Sequence, residues 1–119
     1  MMDWKVVDQE GQKHTQKGWF FPNLSIQEYL LPFINVGHDY IDENNTTLFQ
    51  KEDCRRLKHN ITYLLGSKYF DQKTQIQYDS ISQGLITLES KDIIESLLHL
   101  HTAAEQAMQI KGYLQCDGD

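Results

Sequence analysis

The spacing of apolar residues divides this chain into short alternating runs and a few helical stripes. Residues 4–7, Trp-Lys-Val-Val, form a β-type run before a turn at Glu10-Gly11, and residues 18–21, Gly-Trp-Phe-Phe, form a second, closed by Pro22. The two runs are expected to pair as a hairpin with a loose connection. Ser25 and Glu28 stand at capping-box spacing, and Ile26, Tyr29, Leu30 and Phe33 follow at helical intervals. Pro32 predicts a kink or a split in this helix, and Gly37 a stop. Residues 40–41 read as a short strand and 43–45 as a loop.

A second helix is predicted over residues 50–65. Cys54, Leu57, Ile61, Leu64 and Leu65 lie on its apolar side, Arg55, Arg56, His59 and Tyr63 point elsewhere, and Gly66 closes it. Residues 68–70, 75–81 and 85–88 have strand character, with a turn at Ser82-Gln83-Gly84. Leu85 to Leu88 is the most apolar of these runs and reads as a central strand. The last helix begins at a Ser90 cap and carries a stripe of Ile93, Leu97, Leu100, Ala104 and Ala107. Residues 115–119 read as a frayed tail.

The predicted order is β-β-α-β-α-β-β-β-α. The simplest packing is an α+β fold: a single domain over residues 1–119, with a mostly antiparallel sheet and about three helices on one face. Leu, Ile, Val and Phe make up 31 of the 119 residues, above the share at which chains stay disordered.

The net charge of −6 and the scattered cations argue against a nucleic-acid partner, which needs clustered positive charge. No apolar run is long enough for a membrane span and no signal segment is apparent, so a cytoplasmic protein is expected. Two cysteines, Cys54 and Cys116, fit free thiols in a reducing compartment better than a disulfide scaffold. There is no P-loop, no dinucleotide fingerprint, no Cys-x-x-Cys and no His-Glu-x-x-His. No cofactor is expected. His99 and His101 lie two apart on a helix, too far around the axis to share a metal.

Two clusters are candidates for function. Adjacent side chains on a strand face opposite ways, so Phe20 and Phe21 cannot both enter one core. One of them is expected to mark an interaction surface, with acidic residues Asp39, Asp42 and Glu43 beside it. The corresponding function is a small acidic protein-binding domain: an inhibitor, antitoxin or immunity-type partner, or a homodimer. The alternative reading uses His38, Asp39 and Asp42 as a metal site or as the acid–base centre of a hydrolase-like enzyme.

Overall fold

A computed structural model describes residues 1–12 and 18–118. It has an α+β fold with antiparallel sheets and three helices. The element order is β1 (Asp3–Val7), α1 (Leu24–Ile34), β2 (Thr46–Phe49), α2 (Lys51–Gly66), β3 (Gln75–Ser80), β4 (Gly84–Glu89), α3 (Ser90–Gln109) and β5 (Tyr113–Asp117). One sheet has the order β1-β5-β2, with both pairings antiparallel, and β3 and β4 form a separate hairpin.

Residues 115–117 of the predicted frayed tail belong to the central strand of the main sheet. Tyr-Leu-Gln-Cys-Asp alternates with period two, and Leu114 and Cys116 have no exposed surface. The chain reaches β5 through Lys111, at φ 58°, and Gly112. A Cβ on Gly112 would lie 2.0 Å from the carbonyl oxygen of Val7, so only glycine permits this close approach.

Alternation then sorts the sheet into two faces. Trp4 lies opposite Cys116, which lies opposite Thr47, and Val6, Leu114 and Phe49 form the next row. All six are buried. The stripe predicted for α3 is wholly buried, and α3 packs on β1 and β5 from this side. Trp4 meets Phe21 and Phe49 edge-on, with ring centroids 6.2 and 5.8 Å away. Edge-on aromatic pairs add about 0.5–1.5 kcal/mol each beyond the area they bury.

The run at 18–21 does lie antiparallel to β1, but as one bridge rather than a strand. Trp4 N–H donates to the Trp19 carbonyl at 2.8 Å and Trp19 N–H returns the bond at 2.7 Å. The strand expected at 40–41 is displaced to β2. Its Thr-Thr-Leu-Phe sequence favours an extended backbone. Residues 68–70 are a turn, because Lys68 adopts φ 59° just beyond α2, and Phe70 is buried there as a plug.

The first helix is one continuous element through Pro32. The proline sits near its C-terminal end, where few backbone bonds remain to lose. Its cap is Asn23, whose Oδ1 accepts from the Ile26 N–H at 2.9 Å, in place of Ser25. Glu28 is therefore free of a capping role and ties α1 to the hairpin turn. It accepts from the Ser80 hydroxyl at 2.7 Å and from the Ile81 N–H at 3.2 Å. The capping residue of α3 is Glu89 rather than Ser90. The β4 strand is half of a two-stranded hairpin, not a central strand, and its Leu85 is exposed. Among the described residues, no helix is long and apolar enough to cross a membrane.

Because β5 pairs with both other strands of the main sheet, Leu114→Ala is expected to destabilise the protein by about 2–5 kcal/mol. A chain ending at Gly112 is expected not to fold. Urea denaturation followed by circular dichroism checks both. A terminal segment that merely frayed would leave the midpoint unchanged.

Candidate functional site

The face of the main sheet opposite the helices carries Asp3 and Lys5 from β1, Gln115 and Asp117 from β5, and Thr46 and Leu48 from β2. These side chains alternate with the buried rows and so point away from α3. Asp3, Asp117 and Thr46 lie in one line across the three strands. At the edge of this line the Asp3 carboxylate closes on Gly18, where a Cβ would lie 1.7 Å from it. Strands are spaced by about 4.8 Å, so the line from Asp3 to Thr46 spans about 10 Å.

At the centre of this face the Lys5 ammonium lies 2.6 Å from Asp117 and 3.4 Å from Asp3. Asp117 also accepts from the Thr46 hydroxyl at 2.8 Å and from the Gln115 amide at 2.9 and 3.1 Å. Its hydrogen bond to Asp117 and the neighbouring carboxylates raise the Lys5 pKa, although desolvation opposes the rise. Desolvation would raise that of Asp117. The donors Lys5, Thr46 and Gln115 outweigh it and hold the carboxyl below its ordinary value. One oxygen of Asp3 is buried without a hydrogen-bond partner among the described residues. The arrangement is a closed ion-pair network that fixes the polar face, and it leaves Phe20 and Leu48 as the exposed apolar groups at its two sides.

The loop before β2 adjoins the same end of the sheet. Gly118 packs so tightly on Asp42 and Glu43 that a Cβ there would lie 2.5 Å from the Glu43 backbone, and Gly118 N–H donates to the Asn45 carbonyl at 2.9 Å. The Asp42 carboxylate accepts from the Asn44 N–H at 2.8 Å and from the Asn45 side chain at 3.0 Å. The side-chain bond from Asn45, then the backbone bond from Asn44, lower its pKa. Asp42 thus organises its own turn. Its N–H donates to Thr47 at 3.0 Å, fastening the loop to β2.

The structure separates the two residues of the aromatic pair. Phe20 is 51% exposed, and Phe21 is 2% exposed and packed against Trp4 and Trp19. Phe21 is therefore a core residue and not part of a contact surface. Asp39, Asp42 and Glu43 are all exposed, and between them Tyr40 is 80% exposed, an aromatic that the sequence reading passed over. His38 is exposed, and its backbone N–H donates to Asp53 at 2.8 Å, beside the start of α2. Asp42 is instead fastened to the start of β2. Among the described residues, no three His, Cys, Asp or Glu side chains gather where a metal could be held. His38, Asp39 and Asp42 are not brought together as that reading required. His14 lies outside the described residues.

Both thiols are free and buried. Burial pushes Cys54 up to about 11 and Cys116 up to about 12, and the adjacent carboxylates add to the effect. Neither is a nucleophile at neutral pH. Lys5, Asp117, Thr46 and Gln115 escaped the sequence reading because they are far apart in the chain. The alternation at residues 113–117 was the available signal.

No family model matches the chain, and neither a curated protein nor a solved structure does.

Two outcomes follow from the ionisations. A depressed Asp117 pKa stabilises the fold above the unfolded value of 3.8, and this stability is lost as pH falls through the folded value. A raised Lys5 pKa stabilises below 10.5 and is lost at higher pH. Asp117→Asn is therefore expected to cost about 1–3 kcal/mol at pH 7, by leaving Lys5 poorly paired. The gap from the native protein should close as pH drops below 4, as read from urea midpoints across a pH series. Ellman's reagent at pH 8 should label neither thiol in the folded protein and both in urea.

Proposed function

We propose that this chain is a small acidic protein-binding domain that engages its partner through the helix-free face of the main sheet. The observation that carries the reading is Phe20. It is half exposed in a segment where Trp19 and Phe21 on either side pack inward. A large aromatic held on a rigid sheet edge at low entropic cost is the kind of residue that dominates protein interfaces. Tyr40 is a second exposed aromatic, set within the acidic segment Asp39–Asp42–Glu43. In this reading the exposed ring of Phe20 is the aromatic anchor and the exposed Asp42–Glu43 turn supplies acidic groups to the same partner.

Charge selects the partner's chemistry. The net charge of −6 and the exposed carboxylates favour a protein with a basic surface, as for an inhibitor, antitoxin or immunity-type protein. The same charges would repel a phosphate backbone, so the reading excludes nucleic acid. Two buried free thiols fit a reducing cytoplasmic setting.

The test compares the two adjacent phenylalanines. Phe20→Ala should keep stability within about 0.5 kcal/mol of the native protein, because the ring is a surface group. It should lose a stoichiometric basic partner, or dissociate a homodimer, in a pull-down read with native mass. Phe21→Ala should cost about 3–5 kcal/mol of stability. A Phe20→Ala protein that is folded and binds as well as the native chain removes this surface from consideration.

A further inference from the structure

Backbone groups along a strand point alternately to its two sides, and on β2 the hydrogen bonds fix which residues point where. Gly118 N–H donates to the carbonyl of Asn45, the residue opposite it, so Asn45 faces β5. Thr47 and Phe49, two and four residues on, face β5 as well. Thr46 and Leu48 therefore turn their N–H and C=O groups away from the sheet. The same parity carried across β5 turns Trp4 of β1 outward, and it is the Trp4 backbone that Trp19 meets. Among the described residues, Thr46 and Leu48 make no backbone hydrogen bond on their outer side. Both are exposed.

The other strand edges are guarded. On β1, Trp19 takes both backbone groups of Trp4, and Met2 N–H donates to Gln27 Oε1 at 3.0 Å. On the hairpin, Ser90 N–H donates to the Thr74 carbonyl at 3.0 Å, which by the same parity turns Asp79 of β3 and Glu89 of β4 outward. A charged residue on an edge discourages strand pairing. The Thr-Thr-Leu-Phe of β2 carries no charge.

An outward row of N–H and C=O groups recognises an extended backbone. Two-fold symmetry offers a register that uses the whole row. With Thr47 opposite its counterpart, Thr46 of each copy faces Leu48 of the other, and each such pair exchanges two hydrogen bonds. Charge favours this register. A net charge of −6 opposes self-association, so two copies meet most readily where like charges are absent. The pairing also carries the exposed Glu43 of one copy toward Lys51 of the other, at the N-terminal end of α2. Lys51 is exposed and has no ion pair among the described residues.

We propose that a second copy of this chain adds to the main sheet at β2, antiparallel and centred on Thr47, so that two three-stranded sheets become one. Trp19 and Phe20 border β1 at the opposite edge of the sheet, so this contact stands or falls independently of the Phe20 surface.

Sedimentation of the native protein between about 1 μM and 1 mM should show its mass rise from one copy to two, as for a small interface. Over the same range, hydrogen exchange at the Thr46 and Leu48 amides should slow by about tenfold or more, while Thr47 and Phe49, bonded to β5, stay protected throughout. A mixture of labelled and unlabelled copies should show a contact between the two Thr47 Hα atoms, whose Cα atoms lie about 4.5 Å apart in a non-hydrogen-bonded pair. Leu48→Pro removes an N–H that the fold does not use, so the protein should stay folded and become a single copy. Phe20→Ala should dimerise as the native chain does, so a dimer held by Phe20 and a dimer held by β2 are told apart. A native chain that remains one copy at every concentration overturns the proposal, even if an added basic protein protects the Thr46 and Leu48 amides. So does a dimer in which those amides exchange as fast as in the single copy, or a folded Leu48→Pro protein that dimerises undiminished. Mass and exchange are both read in the native protein, so the test does not depend on any variant folding.

Discussion

The insertion of β5 between β1 and β2 is the constraint on which the other features depend. Those two outer strands are not paired with each other, and each joins the sheet by pairing with β5. The pairing joins residues near opposite ends of the sequence, such as Asp3 with Asp117. Such contacts bring no stabilisation until a long loop has closed. Helix α3 lessens that cost, since it leads directly into β5 and buries its own stripe on β1 and β5. Gly112 is the point at which helix and strand can approach closely enough for this to happen.

Once β5 is in place, the period of two gives the sheet two unlike faces. The inner rows of Trp4, Val6, Leu114, Cys116 and Phe49 form the apolar layer under α3. The outer rows place a lysine between two carboxylates. An ion pair that is partly buried is worth keeping when further hydrogen bonds satisfy its lone pairs, and Thr46 and Gln115 do this for Asp117. The network also fixes register, because a slip of one residue would bring Lys5 and Asp117 under α3.

At the edge of β1 the chain divides its aromatic side chains between the two faces of the sheet. A single bridge to Trp19 turns successive aromatic residues to opposite sides. Trp19 goes inward to His99, Phe20 outward to the polar face, and Phe21 inward to the core. One short extended segment thereby presents Trp19 to a cleft beside α3 and Phe20 to solvent.

The sequence by itself determined the elements whose signal is local. The apolar stripes of α2 and α3 place those helices, and the alternation at 75–81 and 85–88 with the Ser82-Gln83-Gly84 turn between marks the hairpin. The rule that neighbouring strand residues face opposite ways showed that Phe20 and Phe21 must part. Tertiary structure decided which of the two stays outside, because only the Trp4 bridge fixes the segment's register. It also turned a polar C-terminal segment into the central strand. A strand of five residues has no stability alone, and its identity comes from partners at β1 and β2. The ion-pair network and the cleft have the same origin. Lys5, Asp117, Trp4, Trp19 and His99 carry no shared local pattern, and only the closing of the β1–β5 ladder and the docking of α3 bring them together.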